Sequence, residues 1–187
     1  MATKSLPCIG VVLAGGLSSR MGRDKALLPW HGRPLIEHQM TTLHATGVRE
    51  VKVSGHRPDY LGISDAAPCL GPLGGIASVA AQCEDAQLLI IPVDMPRLQP
   101  ALLLRLRDSD PNAGSVRFAG HRLPMRLRLD ATCRAALDTL LAESDQRARS
   151  VRALQERVGV GEIVLSAHDE AQLIDCNTEQ TWREATA

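Results

Sequence analysis

Aromatic side chains are almost missing from this sequence: one phenylalanine, one tyrosine and two tryptophans among 187 residues. Any core must therefore be built from Leu, Val, Ile and Ala. With hydrophobic residues at 44%, there is enough material for a sizeable one. Net charge is missing too, since 21 Lys and Arg offset 21 Asp and Glu. That balance argues against a general nucleic-acid binder, whose surface is normally basic, while it allows a local basic pocket. The five cysteines, Cys8, Cys69, Cys83, Cys133 and Cys176, never stand at C-x-x-C spacing. Neither a zinc site nor a redox pair is indicated. Cys8 and Cys83, in or near apolar segments, read as small core residues, and a reducing compartment fits. No apolar run reaches membrane-spanning length, and the opening MATKSLP has no long apolar signal region. A cytoplasmic location is expected, with neither membrane nor nucleic acid as partner. At this length one domain is the default.

What is present concentrates in residues 9–25, IGVVLAGGLSSRMGRDK. The run Ile9 to Leu13 is apolar and β-branched, long enough for one buried strand. It breaks at Ala14-Gly15-Gly16, where paired glycines mark a sharp turn or a close approach. Main-chain N–H groups in such a concavity bind anions. Arg20, Arg23 and Lys25 follow, an arginine fork and a lysine point charge being the two side-chain means of neutralising phosphate. Neither G-x-x-x-x-G-K-[ST] nor G-x-G-x-x-G is present, so neither of the two commonest phosphate loops applies.

Along the chain, strands alternate with helices. Residues 8–14 read as a strand, 17–25 as loop, 25–30 as extended and 31–34 as a turn. Pro34 suits the first position of a helix over about 35–46, closed by Gly47. Residues 51–54 form a short strand, and 55–75, with five glycines and three prolines, are mainly loop. A helix is predicted over 75–82. The apolar run at 87–93 is the strongest buried strand, followed by a helix at 98–107. Strands at 115–118 and 124–129, helices at 131–143 and 150–158, a strand at 161–165 and a helix from 178 complete the chain. Ser150 is placed to cap the helix it precedes. The alternation implies an α/β fold, Rossmann-like and three-layered (α/β/α), with a mostly parallel sheet and ligands at the carboxyl ends of the strands.

Three further elements carry chemistry. Asp94 ends the buried run at 87–93, at the site face of such a sheet. It reads either as a metal-holding carboxylate or as an N-cap before Pro96. Gly71-Pro72-Leu73-Gly74-Gly75 is a second close-approach backbone, able to cradle a planar base or a phosphate. Arg117, His121, Arg122, Arg126 and Arg128 cluster in sequence. Arg126 and Arg128 share a face if their segment is a strand, which reads either as a basic binding face or as a solvated one. The remaining histidines, His31, His38, His44, His56 and His168, form no ligand-spaced pair and read as surface residues.

Read from Leu13 to Lys25, L-A-G-G-x-x-x-R-M-G-x-D-K resembles the signature of the nucleotidyltransferase superfamily, which includes the sugar-1-phosphate nucleotidyltransferases. Its R-M-G-x-D-K form is most similar to that of the molybdenum cofactor guanylyltransferases. The resemblance implies a fold of nucleotide-diphospho-sugar-transferase type and transfer of GMP from GTP to molybdenum-bound molybdopterin. By it, Leu13, Ala14, Gly15 and Gly16 wrap the GTP phosphates, Arg20 and Lys25 neutralise their charge, and Asp94, in a D-x-P motif, holds Mg²⁺. Gly71, Pro72 and Leu73 line the guanine pocket. Asp65 contacts the nucleotide, and Ser54 stands where the family often has an asparagine near it. Residues 1–107 then form a nucleotide-binding half and 108–187 an acceptor-binding half. On the acceptor side, Arg126 and Asn177 are the candidates. His121-Arg122-Leu123-Pro124 departs from the family's His-Pro. Asp175-Cys176-Asn177-Thr178 resembles its Asn-x-Asn-Thr, with Asp175 in place of the first asparagine. Molybdenum-cofactor delivery proteins are the implied partners. Two alternatives stay open: a related nucleotidyltransferase using CTP or a sugar phosphate, and a non-catalytic nucleotide-binding protein in cofactor delivery.

Overall fold

A computed structural model describes residues 6–15, 23–66, 70–145 and 147–186. β1 (Cys8–Leu13) leads through the described residues 23–24 to a one-turn 3₁₀ helix (Lys25–Leu27) and a small hairpin, β2 (Pro29–Trp30) with β3 (Arg33–Pro34). Then follow α1 (Leu35–His44), β4 (Val51–Ser54), α2 (Gly71–Ala80), β5 (Ala86–Pro92), α3 (Pro100–Arg107), β6 (Ser115–Phe118) and β7 (Met125–Leu129). The chain closes with α4 (Ala131–Ala142), α5 (Val151–Val158), β8 (Val160–Ile163), α6 (Ala167–Glu170) and α7 (Glu179–Thr186). Six strands form one sheet in the order β4-β1-β5-β7-β6-β8. Its pairings are parallel except the two made by β7, so β7 alone runs against the rest.

The apolar runs of β1 and β5 are continuous because both faces of these strands are covered. Val11, Leu13, Leu88 and Ile90 point into one core with α2, α4 and α5. Val12, Leu89 and Ile91 point into the other, with α1, α3 and Trp182 of α7. With so few aromatics, aliphatic side chains fill both layers, each worth about 1.5–3 kcal/mol when fully buried. Gly10 lets α1 close onto β1: a Cβ there would stand 3.1 Å from Leu43 Cδ1. Side-chain caps start α4 and α5, where Asp130 accepts from the Cys133 amide and Ser150 from the Ala153 amide.

The differences from the sequence reading are local. Residues 25–30 are not simply extended, because Asp24 caps the 3₁₀ turn by accepting from the Ala26 amide at 3.1 Å. α2 begins at Gly71 rather than Gly75. Pro72 occupies a first-turn position, where its missing N–H costs nothing. Pro34 ends β3 and precedes α1 instead of opening it. Among the described residues Cys133 and Cys176 are buried, while Cys8 and Cys83 are half-buried and pack against the edges of the two cores. His38 is not a surface residue: its Nε2 lies 3.0 Å from the Pro96 carbonyl, and burial lowers its pKa.

Candidate functional site

The register of the sheet places Leu13 level with Ser54 on one side and with Pro92 on the other. Three parallel strands therefore end in line, and Ala14-Gly15, Gly55 and Val93-Asp94 emerge together above them. Glycine is required at this edge. Gly55 has φ +112°, and a Cβ on it would stand 2.7 Å from Gly15 Cα and N. Ser54 is buried beneath α2: a Cβ on Gly75 would come within 2.2 Å of Ser54 Oγ. Arg20 and Gly16 lie outside the described residues.

Lys25 and Asp94 meet across this edge, Nζ to Oδ2 at 3.7 Å, with side chains 13% and 22% exposed. Lys25 also donates to Asn177 Oδ1. The Cys176 amide donates to the Asp94 carbonyl at 2.8 Å, which binds the tail segment to the turn. α3 has Gln99 at its N-cap. Asp94 is thus no helix cap, and its carboxylate is left to the site. Burial pushes the Asp94 carboxyl pKa up; Lys25 opposes the shift and Asp175 adds to it. Asp94 is thus a desolvated carboxylate facing one lysine, and the exposed Asp175 adds a second negative charge that acts on it. That donor set fits Mg²⁺, which takes hard oxygen ligands and, with substrate phosphates present, needs only one or two protein carboxylates. Among the described residues no three His, Cys, Asp or Glu side chains gather into a complete metal cage.

Asp65 follows the bridge between Ser54 and Ile63. Its Oδ1 is buried without any hydrogen-bond partner, and desolvation raises its pKa. An orphaned acceptor at this depth is costly, and it suits N–H donors arriving on a ligand. Gly71, Pro72 and Leu73 form the first turn of α2 and face a cavity of about 310 Å³.

Arg126 is a correction. It is 1% exposed, and its guanidinium donates to Gln87 Oε1 at 2.7 Å, to Ser109 Oγ at 3.3 Å and to the Asp110 carbonyl. These partners hold it inside the fold, so it presents no face to an acceptor. Alternation along β7 gives no shared basic surface either, since Arg128 pairs with Asp130 at 3.1 Å.

Two residues that the sequence reading did not single out position the site. Gln39 of α1 is fully buried and donates to the Met95 carbonyl at 2.7 Å and the Val93 carbonyl at 3.3 Å, on either side of Asp94. A polar residue one helical turn after Leu35, on the apolar face of α1, was its signal. Arg57 donates to the Ala14 carbonyl from Nε at 3.1 Å and from Nη2 at 2.9 Å, and it forks onto both oxygens of Asp24. One guanidinium thereby ties the two ends of the 14–24 segment together. Local pattern carried no signal for it, because its partners are 33 and 43 residues away.

A parallel shelf of three strand ends, a glycine edge and a lysine facing an aspartate define an α/β domain of the nucleotidyltransferase type. Residues 10–173 match the family model described as a MobA-like NTP transferase domain, and the chain belongs to that family. It is 50% identical over 181 residues to a molybdenum cofactor guanylyltransferase of Xanthomonas euvesicatoria pv. vesicatoria, covering 96% of this chain and 95% of that one. Two solved structures share the fold. A nucleotidyl transferase from Methanothermobacter thermautotroptrophicus has TM-score 0.75 at 18% identity, with 96% of each chain covered. Molybdopterin-guanine dinucleotide biosynthesis protein A from Archaeoglobus fulgidus has TM-score 0.74 at 16% identity, covering 95% of this chain and 96% of that one. No helix among the described residues is long and apolar enough to cross a membrane.

Proposed function

We propose that this protein transfers GMP from GTP to molybdenum-bound molybdopterin, forming the guanine dinucleotide cofactor and pyrophosphate. The observation that carries the reading is the Lys25–Asp94 pair at the shared edge of β1 and β5. It stands in a chain half identical, over nearly its whole length, to a molybdenum cofactor guanylyltransferase. In this reaction an oxygen of the acceptor's phosphate attacks the α-phosphorus of GTP. The bond from that phosphorus to the α,β-bridging oxygen breaks, and its electron pair leaves with pyrophosphate. No side-chain nucleophile is required, so the chain's work is positioning and charge neutralisation.

Leu13, Ala14 and Gly15, with Gly16 and Arg20 beyond them, hold the triphosphate, and Lys25 neutralises its charge. Asn177 orients the Lys25 ammonium. Asp94, with Asp175 beside it, would hold Mg²⁺, which when bound shields the crowded phosphate oxygens. Asp65 and the first turn of α2 serve the base side, with Ser54 closing the floor beneath them. Residues 1–107 supply most of the nucleotide half and 108–187 the acceptor half. Asn177 reaches across from the second to the first. Molybdenum-cofactor delivery proteins would bring the acceptor, in the cytoplasm.

The test is calorimetry with Mg²⁺ and GTP, CTP, ATP and UTP on the wild type and Asp94→Ala, followed by a transfer assay with molybdenum-loaded molybdopterin. GTP preference weakened in the variant, with turnover in the wild type, is the expected result. CTP preference would move the protein to the cytidylyltransferases. Tight GTP binding with no turnover would make it a non-catalytic nucleotide carrier.

A further inference from the structure

Three of the histidines come together once the chain has folded. His31 stands in the turn between β2 and β3, His38 on α1 and His168 on α6, and all three line one cavity of about 360 Å³. That volume lies within the range of small-molecule sites. Trp30 lines it too, with the His31 ring edge-on at 4.9 Å and the His38 ring tilted at 5.9 Å. The cavity is separate from the nucleotide edge. Lys25, Asp94, Gly15 and the first turn of α2 do not line it. Its helices α1 and α3 pack on one face of the sheet, and α2 packs on the other.

The charge this lining can carry is of one sign. His31 and His168 have neither a hydrogen bond nor a carboxylate partner among the described residues. Arg97 spends Nη2 on a neutral acceptor, the Glu184 carbonyl at 2.6 Å. Gln172 accepts the Gln99 amide through Oε1 at 3.1 Å, so its NH₂ group remains a donor. Arg33 and His31 both act on His38 as positive neighbours. No lining side chain is acidic. The acids of the surrounding elements turn to other partners: Glu37 accepts from Tyr60 at 3.1 Å, Asp169 pairs with Arg105 at 2.8 Å, and Glu184 accepts from Gln180 at 2.9 Å. Glu170 of α6 stays outside the lining. The positive end of α3 adds to the excess, since its N-cap Gln99 makes no side-chain cap. The turn itself does not ask for histidine. His31 and Gly32 have φ +47° and +81°, a two-residue hairpin turn in which Asn-Gly is favoured.

We propose that this cavity binds a phosphate-type oxyanion, held by His31, His168 and Arg97 against the Trp30 ring and apart from the place of the GTP phosphates. The site does not depend on the transfer reading above. Histidine gains its charge as pH falls from about 8 to about 5, so the cavity fills toward the acid side. Its occupant packs against the back of the Asp94 turn, because Pro96 is a wall residue and its carbonyl lies 3.0 Å from His38 Nε2. Two sources share the required chemistry, free phosphate and pyrophosphate.

The chain's two tryptophans, Trp30 and Trp182, lie 5.7 Å apart, so intrinsic fluorescence reports on this cavity. The full chain is titrated with sulfate, phosphate and pyrophosphate at about pH 6 and about pH 8. Wild type is compared with His31→Asn, His168→Gln, the double variant and Lys25→Ala. Sulfate keeps its charge over this range, so its pH dependence belongs to the protein. Both histidines are exposed and asparagine suits the turn, so unfolding midpoints should match the wild type. The expected result is a saturable change, tighter by about fivefold or more at the lower pH. Each histidine variant should weaken it by about fivefold or more, and the double variant should lose most of the pH dependence. Saturating GTP and Lys25→Ala should leave it within about twofold. Tighter binding of pyrophosphate than of phosphate makes that anion the occupant, and equal binding makes it free phosphate. No saturable change with any of the three anions, a change indifferent to pH, or one that survives in the double variant overturns the site. So does one displaced by GTP or lost in Lys25→Ala, which would belong to the nucleotide edge. A wild-type protein that makes no dinucleotide would overturn the transfer reading alone.

Discussion

Gln39→Leu isolates the support beneath Asp94. The substitution keeps the approximate shape of the side chain and removes its amide. The Met95 carbonyl loses a 2.7 Å bond but retains the Leu98 amide at 3.3 Å. The Val93 carbonyl loses the Gln39 amide at 3.3 Å and has no other donor among the described residues. Stranding one buried acceptor costs about 1–3 kcal/mol, and the lost stronger bond about 1 kcal/mol more. Against this, Gln39 Oε1 is itself buried without a partner, and leucine removes that penalty, also about 1–3 kcal/mol. The net destabilisation is about 1 kcal/mol, a fall in unfolding midpoint of about 2–4 °C for a chain of this size. At 25 °C the variant remains folded, so a purely structural glutamine would leave transfer intact. Because the two carbonyls flank Asp94, kcat/KM should instead fall about tenfold or more, as for a misplaced catalytic group. Differential scanning calorimetry and the transfer assay read the two effects separately. A midpoint within about 1 °C of wild type, together with full transfer, would show that α1 does not hold the Asp94 turn.

Lys25→Ala should cost about 10²–10³ in transfer and only a few degrees in midpoint; losses of equal weight in both would remove Lys25 from the chemistry. Asp94→Asn gives a prediction with a sign in pH. Burial raises the folded-state carboxyl pKa, so the charged form costs stability, and the cost appears as pH rises through that raised value. The asparagine variant should therefore melt higher than wild type at about pH 8 without metal, lose that advantage near about pH 4, and transfer nothing. A lower midpoint at the higher pH would mean that attraction to Lys25 outweighs desolvation. Gly75→Ala should gain in helix propensity yet lose about 1–3 kcal/mol to overpacking, since its Cβ would stand 2.2 Å from Ser54 Oγ. In urea unfolding, adding Ser54→Gly should recover most of that loss, and failure to recover any would place the strain elsewhere.

The parts of this molecule that could be read in advance are those written locally. A continuous apolar run ending in glycine or aspartate is visible in a few residues, and β1, β5 and Asp94 followed from such runs. The cap at Ser150 lies next to its helix. What could not be read is what depends on partners far along the chain. Nothing in MRLRL tells a buried arginine from a solvated one: Arg126 goes inside because Gln87, Ser109 and Asp110, from 16 to 39 residues away, converge on it. Likewise the sequence reading starts α2 late, at Gly75, because Gly71 to Gly74 read as loop; inside the helix Gly74 and Gly75 serve close packing onto Leu70 and Ser54. Arg57 and Gln39 escaped for the same reason, their roles being set by carbonyls across the sheet.

This distribution bears on the notion of two halves. The order β5-β7-β6 places a strand from the acceptor half directly against the strand that carries Asp94. A chain ending near residue 107 would expose the ladder edge of β5, a liability that native sheets cover. It would also remove Asn177 from Lys25, the Cys176 amide from the Asp94 carbonyl, and Glu179, which pairs with Arg23 at 2.6 Å. Each of these contacts joins the last dozen residues to the segment that follows the glycine loop or to the Asp94 turn. The two proposed halves thus belong to one fold. The charge arrangement around Lys25 and Asp94, which we propose meets the phosphates, is complete only with the tail packed over the edge shared by β1 and β5.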